Sequence, residues 1–211
     1  MGRDSAEVAA LKRTRELELP VFVIVTSSAS PEAREVRLGW VSEWDDPGEV
    51  FLILFSERRP ESAVLVSEDD QPFSLTASEE ERRALRKVRP SQSRFSFEVR
   101  RRYGTSCAVC EISEPELLEA AHLCAKSRNG ADDARNGLLL CVLHHRAFDR
   151  AFWAIDPLTK AIRVRQGGPS SRELGITRDS LCHLPRLPHQ AALEHAWTEA
   201  LAKHRGFDPL R

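Results

Sequence analysis

Short runs of apolar residues, set off by clusters of Asp, Pro, Gly and Ser, fill the first part of the chain. Pro20–Val25, Glu35–Val41, Val50–Phe55 and Ala63–Val66 read as strands. Asp4–Leu17 reads as a short polar helix ahead of them. Ser78 followed by Glu79, Glu80 and Glu81 begins another helix in the manner of a capping box, and Pro90 requires it to stop, placing a boundary near residues 88–94. Phe95, Val99 and Tyr103 then recur every four residues, an amphipathic helix leading to Gly104. Ala151–Ile155 and Ala161–Arg165 flank Asp156–Lys160 as a β-hairpin, and Gln190–His204 is a closing helix with Leu193, Trp197 and Leu201 on one face. The pattern predicts an α+β protein with a small β-rich domain over residues 1–90 and a second domain over residues 91–211.

The second domain carries the chemistry. Cys107 and Cys110 form a C-x2-C knuckle, Cys141 and His144 a C-x2-H knuckle, and thirty residues separate the two. That is the spacing of a closed tetrahedral zinc site, in which four protein ligands leave no position for substrate, so the metal's role is to fold the region. His145 adjoins the last ligand. Neighbouring side chains on a helix diverge by about 100°, so His145 points away from the zinc toward a different pocket. His122, Asn136 and His145 are left over from the zinc set.

Tyr103–Cys110, Leu117–His122 and Asn136–Asp149 together resemble the HNH endonucleases of the ββα-metal superfamily, and among these the branch fused to readers of modified bases. The likeness covers about residues 92–160. It implies that His122 is the general base, that Asn136 braces the loop between the strands or joins the metal shell, and that His145 binds a catalytic divalent cation. Many members place a carboxylate or a second histidine just before the base, where this chain has Ala121, which leaves the second protein ligand of that cation open. The residue types suit phosphodiester hydrolysis. A neutral imidazole can take a proton from water, and a divalent ion stabilises the charge that gathers on the phosphoryl and leaving oxygens. A histidine ligand favours activity with Mn²⁺, Co²⁺ or Ni²⁺ as well as Mg²⁺.

Charge is divided unevenly. Residues 1–90 hold 13 Lys and Arg against 18 Asp and Glu, a net −5, whereas residues 91–211 hold 18 against 14, a net +4. Arg100, Arg101 and Arg102 form a basic run ahead of the first knuckle that could neutralise phosphates, although three consecutive helical residues cannot all face one surface. Five cysteines, four of them in or near metal spacing, fit a reducing compartment. No apolar run approaches the roughly 20 residues of a membrane span and the first residues lack a signal-peptide core, so a cytoplasmic protein is expected.

The first domain resembles the PUA superfamily, which includes SRA-like and EVE-like readers of modified cytosine. That likeness implies a small β-barrel. Enzymes that inspect one base rotate it into an aromatic pocket, for which Trp40 and Trp44 are candidates, with Asp45 or Asp46 accepting a hydrogen bond from a cytosine amino group. The combined expectation is a modification-dependent, restriction-type endonuclease acting on double-stranded DNA that carries modified cytosine, and a homodimer if both strands are cut. Two other readings stay open. One is an HNH nuclease of a toxin or mobile element whose first domain serves oligomerisation or partner binding; the other is a non-catalytic, zinc-stabilised DNA-binding protein.

Overall fold

The structure is a computed structural model that describes residues 3–26, 34–59, 69, 71–79 and 91–209. It divides into two compact units, residues 1–66 and 67–211. The division lies upstream of the boundary expected near residues 88–94. Residues 69–79 are tied to the second unit: Asp69 pairs with Arg102, the Gln71 carbonyl accepts from Arg135, and Thr76 bridges Gly130. The strand expected at Ala63–Val66 and most of the helix expected after Ser78 lie outside the described residues.

In the first unit, helix α1 (Arg3–Glu16) precedes three antiparallel strands, β1 (Val21–Thr26), β2 (Arg34–Asp45) and β3 (Val50–Phe55), in the order β1-β2-β3. Among the described residues this sheet is open, and no barrel closes. Alternation in β1 exposes Phe22 and Ile24 on the face that also carries Val36 of β2. A bulge between Val41 and Glu43 shifts the β2–β3 register by one residue. Trp40 therefore pairs with Leu54 but Trp44 with Phe51. Since side chains change face at every residue, the extra residue turns the two tryptophans to opposite faces of the sheet.

The second unit is built around a ββα core. Helix α2 (Ser91–Tyr103) is followed by β4 (Leu118–His122), a long loop, β5 (Gly137–Cys141) and helix α3 (Val142–Asp149), which starts at the end of β5 without a linker. β4 and β5 are antiparallel, with Leu118 opposite Cys141 and His122 opposite Gly137. All of β5 is buried, which its uninterrupted Leu138-Leu139-Leu140 run requires. Phe95, Val99 and Tyr103 of α2 bury the stripe read from the sequence. The expected hairpin forms as β6 (Trp153–Ile155) and β7 (Ile162–Arg165), joined by a further strand β8 (Phe207–Pro209). A one-turn helix, α4 (Ser171–Leu174), and the closing helix, α5 (Gln190–Lys203), complete the unit. Trp153 is fully buried, its indole N–H donating to the His144 carbonyl at 3.1 Å, and so anchors the hairpin beneath α3. No helix among the described residues is long and apolar enough to cross a membrane.

Candidate active site and metal centres

The end of β5 and the first turn of α3 deliver Cys141 and His144 to one point, where the loop after α2 delivers Cys107 and Cys110. The ligand atoms of these four buried residues all lie within 4.8 Å of one another. Bonds of about 2.0–2.3 Å to a tetrahedral zinc place ligand atoms roughly 3.5–3.8 Å apart, so the cluster is close to metal-binding geometry. His144 Nδ1 stands 3.0 Å from Cys141 Sγ and 3.6 Å from Cys107 Sγ. Its Nε2 faces the Leu174 carbonyl at 3.0 Å. A carbonyl only accepts, so Nε2 carries the ring proton and the Nδ1 lone pair points at the sulfurs, as a metal ligand requires.

The thiols describe the same need. Burial raises Cys107, but its contacts with His144, the backbone of Val109 and Cys141, and Cys110 outweigh it and leave this thiol at about 6. Cys110 is pushed up to about 12, first by burial and then by Cys107 and Cys141, and burial also raises Cys141. One thiolate forms readily and suppresses the others. A bound dication supplies the charge that lets all three ionise, so the residues fit a structural zinc.

The adjacent histidines separate as their helical positions dictate. His144 is buried against the cysteines, whereas His145, with a side chain 24% exposed, turns to a cleft of about 710 Å³. That cleft is also lined by Glu119, His122, Lys126, Asp132 and Asp149, with Phe95 at its wall. His145 Nδ1 lies 2.7 Å from Glu119 Oε2, and its Nε2 lies 3.8 Å from Asp149 Oδ2. A carboxylate only accepts, so the contact with Glu119 puts the ring proton on Nδ1 and leaves Nε2, on the Asp149 side, as the nitrogen that could meet a hard or borderline divalent ion.

His122 ends β4 with its side chain 14% exposed. Its ring lies on Phe95, centroids 3.8 Å apart and planes 12° from parallel. Its Nε2 lies 3.0 Å from Asp132 Oδ1, while Asp132 Oδ2 lies 2.8 Å from Lys126 Nζ. Burial raises the Asp132 carboxyl, but His122 and Lys126 more than offset this and hold it below the usual aspartate value.

Asn136 is fully buried. Its Oδ1 accepts from Cys124 N at 2.9 Å, and its Nδ2 donates to the Cys124 and Ala131 carbonyls at 3.2 and 3.0 Å. The amide is thus spent on the backbone of the β4–β5 loop, and Asn136 is not among the residues that line the cleft. The same loop closes so tightly that a Cβ on Gly130 would lie 1.8 Å from the Cys124 carbonyl oxygen.

Residues 107–156 match the HNH endonuclease family. This HNH segment makes the protein a DNA endonuclease, a hydrolase of phosphodiester bonds. A search of curated proteins finds no match. The HNH match begins at Cys107, the first residue of the cysteine cluster, and runs through the hairpin strand β6.

Other expected site residues are placed differently. Arg100 Nη2 donates to the Pro115 and Leu118 carbonyls, Arg101 pairs with Glu98 at 2.7 Å, and buried Arg102 pairs with Asp69 and donates to the Leu187 carbonyl. The run expected to meet phosphates is thus largely committed within the unit, since each arginine emerges from α2 in a different direction. In the first unit, Trp40 donates its indole N–H to the Ser56 carbonyl, while Trp44 lies near Phe51, Lys12 and Arg15. The bulge keeps the two rings from lining one pocket. Asp45 accepts from the Gly48 backbone and closes the turn after β2, and Asp46 pairs with Lys12.

Glu119, Asp132, Asp149 and Phe95 were not among the expected site residues. The i,i+4 spacing of His145 and Asp149 was a legible signal. Asp132 lies ten residues from His122 across an irregular loop, and no periodicity marks it.

Proposed function

We propose that the HNH unit hydrolyses double-stranded DNA with His122 as general base, with His145 and Asp149 as residues that would hold a divalent ion such as Mg²⁺ or Mn²⁺, and with Glu119 orienting the His145 ring. The observation that carries this reading is that His122 and His145, twenty-three positions apart, line one cleft while His144 is withdrawn into the cysteine cluster. When bound, the ion supplies positive charge for the phosphoryl oxygens and the leaving 3′ oxygen. His122 takes the proton of the attacking water in line with that leaving group. Phe95 and Asp132 fix the plane of the base. Asn136 holds the loop that carries Lys126 and Asp132. The cysteine cluster, by the same proposal, holds Zn²⁺ and fixes α3 against β5, and so sets the direction of His145.

The finer part of the proposal is that the first unit directs cleavage to DNA carrying modified cytosine, as restriction-type enzymes do. Its support is the sequence likeness of that half to PUA-superfamily readers. Trp44, half-buried beside Lys12 and Arg15, combines an aromatic face with cations, a surface on which an extruded base and its phosphate can rest. One cleft cuts one strand at a time, so double-strand cleavage would draw on two copies of the chain.

A specific observation favours a second reading of the same unit. Phe22, Ile24 and Val36 are 76%, 67% and 60% exposed on one sheet face, a patch better suited to a protein partner or a second copy than to DNA. Digestion of matched duplexes carrying cytosine, 5-methylcytosine, 5-hydroxymethylcytosine or 6-methyladenine, with Mg²⁺ or Mn²⁺, separates the readings. Selective cutting of a modified-cytosine duplex supports the first; equal cutting of all four removes modification dependence and leaves the partner module. Absence of cutting by the wild type in every metal would remove the catalytic assignment.

A further inference from the structure

We propose that Asp132 is the positioning residue of the base, holding His122 in the Nε2–H tautomer so that Nδ1 is the atom that takes the proton from water. The inference rests on the assignment of His122 as base and adds to it the residue that makes one ring nitrogen reactive.

A carboxylate accepts hydrogen bonds and cannot donate them, so the 3.0 Å contact between Asp132 Oδ1 and His122 Nε2 requires the hydrogen on Nε2. In a neutral imidazole the lone pair then sits on Nδ1. No partner for that atom is found among the described residues, and the ring lines the cleft. When Nδ1 takes a proton from water the ring becomes a cation, and the carboxylate 3.0 Å from its other nitrogen offsets the new charge. The proton stays on Nδ1, and the hydroxide bonds to phosphorus as the bond from phosphorus to the 3′ oxygen breaks. The leaving oxygen keeps that electron pair and is protonated from solvent, and no proton needs to cross to Asp132.

The carboxylate is itself fixed. Lys126 Nζ stands 2.8 Å from its second oxygen as an ion pair, and the Asp132 side chain is 14% exposed. The adjacent Ala131 carbonyl accepts from Asn136 Nδ2, and Gly130 is pressed against the Cys124 carbonyl, so the backbone presenting Asp132 has little freedom. Phe95 blocks one face of the ring. Asp132 therefore sits on a braced loop and meets His122 edge-on, in the plane where a hydrogen bond selects a tautomer.

The test uses the full-length protein labelled with ¹⁵N-histidine. Long-range ¹H–¹⁵N correlation at neutral pH, with the His122 signals assigned from His122→Ala, reads the tautomer directly. The wild type is expected to show Nε2–H. A dominant Nδ1–H form would overturn the proposal whatever any variant does. Asp132→Asn keeps the shape but offers an amide that can donate to Nε2. It is expected to lose the single tautomer and to lower kcat by about 10²- to 10⁴-fold with KM for a duplex substrate within about threefold of wild type. Asp132→Glu is expected to recover part of kcat together with the Nε2–H signal. A kcat for Asp132→Asn within threefold of wild type, a loss of kcat with the tautomer unchanged, or a shift confined to the Mn²⁺ requirement would each overturn it, the last by making Asp132 an ion ligand. His122→Ala distinguishes this failure from a deeper one. If that variant cuts DNA, the base assignment itself falls; if it is inactive while Asp132→Asn is fully active, only the role of Asp132 falls.

Discussion

Phe95 lies flat on His122, 3.8 Å between ring centroids, and this contact is possible because the residue opposite His122 in β5 is glycine. A Cβ on Gly137 would stand 2.8 Å from the Phe95 ring and 2.7 Å from Val99. Helix α2 can approach the strand pair closely enough to stack on the base only while position 137 has no side chain. Gly137→Ala is accordingly expected to displace Phe95 and to cost about 1–3 kcal/mol by overpacking. Urea unfolding should register that cost, and kcat should fall at least tenfold as His122 loses its wall. A variant with unchanged kcat would mean that the stacked ring is packing alone.

The proposed structural metal belongs to the cysteine cluster and the proposed catalytic ion, a separate one, to the cleft. Cys110→Ser removes one of four buried ligands, and structural zinc contributes on the order of 10–16 kcal/mol to folds of this kind. The variant is expected to lose zinc by elemental analysis and to lose cooperative unfolding of the second unit. His145→Ala should retain both zinc and folding while cleavage drops by about 10²-fold or more. A stable, cooperatively folded Cys110→Ser protein would remove the structural-metal assignment.

Asp132 couples stability to pH with a definite sign. Its folded carboxyl is held below the ordinary 3.8, because the His122 and Lys126 contacts outweigh burial. A depressed acid stabilises the fold above its unfolded value and loses that contribution as pH falls through the folded one. The stability gap between wild type and Asp132→Asn is therefore expected to be full near neutrality and to shrink below about pH 4. Chemical denaturation at about pH 6 and pH 3 checks this; a gap that widens in acid would contradict the ion-pair geometry.

Arg100 illustrates how a cation can look like a DNA contact and act as a clamp. Its guanidinium bonds the Pro115 carbonyl just ahead of β4 and the Leu118 carbonyl at its start, at 3.1 and 2.7 Å. Arg100→Ala should lower the unfolding midpoint, and the dependence of duplex affinity on log salt should stay within experimental error, because a lost phosphate contact would reduce that slope by about one. A reduced slope would return Arg100 to the DNA interface.

Much of this arrangement was legible along the chain. The four-residue recurrence of Phe95, Val99 and Tyr103 gave α2, and the short apolar runs set off by turn residues gave β1, β2 and β3, because periodicity and turn chemistry are written locally. The zinc set could be read because two knuckles fix ligand geometry over three or four residues each. Less was legible where a position depends on the partner strand. The β2 bulge is a relation between two strands, and it put Trp40 and Trp44, both candidates for one aromatic pocket, on opposite faces. The arginine run looked basic in sequence, yet burial and nearby carbonyls, set by the folding of α2 against residues 69 and 115–118, took up its charge.

The identities and spacing of Cys107, Cys110, Cys141 and His144 were determined by sequence, as was the divergence of His144 from His145, which one turn of helix dictates. The company His145 and His122 keep was decided by tertiary structure. Glu119 reaches His145 across the β4–α3 junction, and Asp132 reaches His122 from a loop whose path is held by buried hydrogen bonds to Asn136. Those contacts join residues ten and twenty-six positions apart, at no fixed period, so only closure of the chain brings them within hydrogen-bond range.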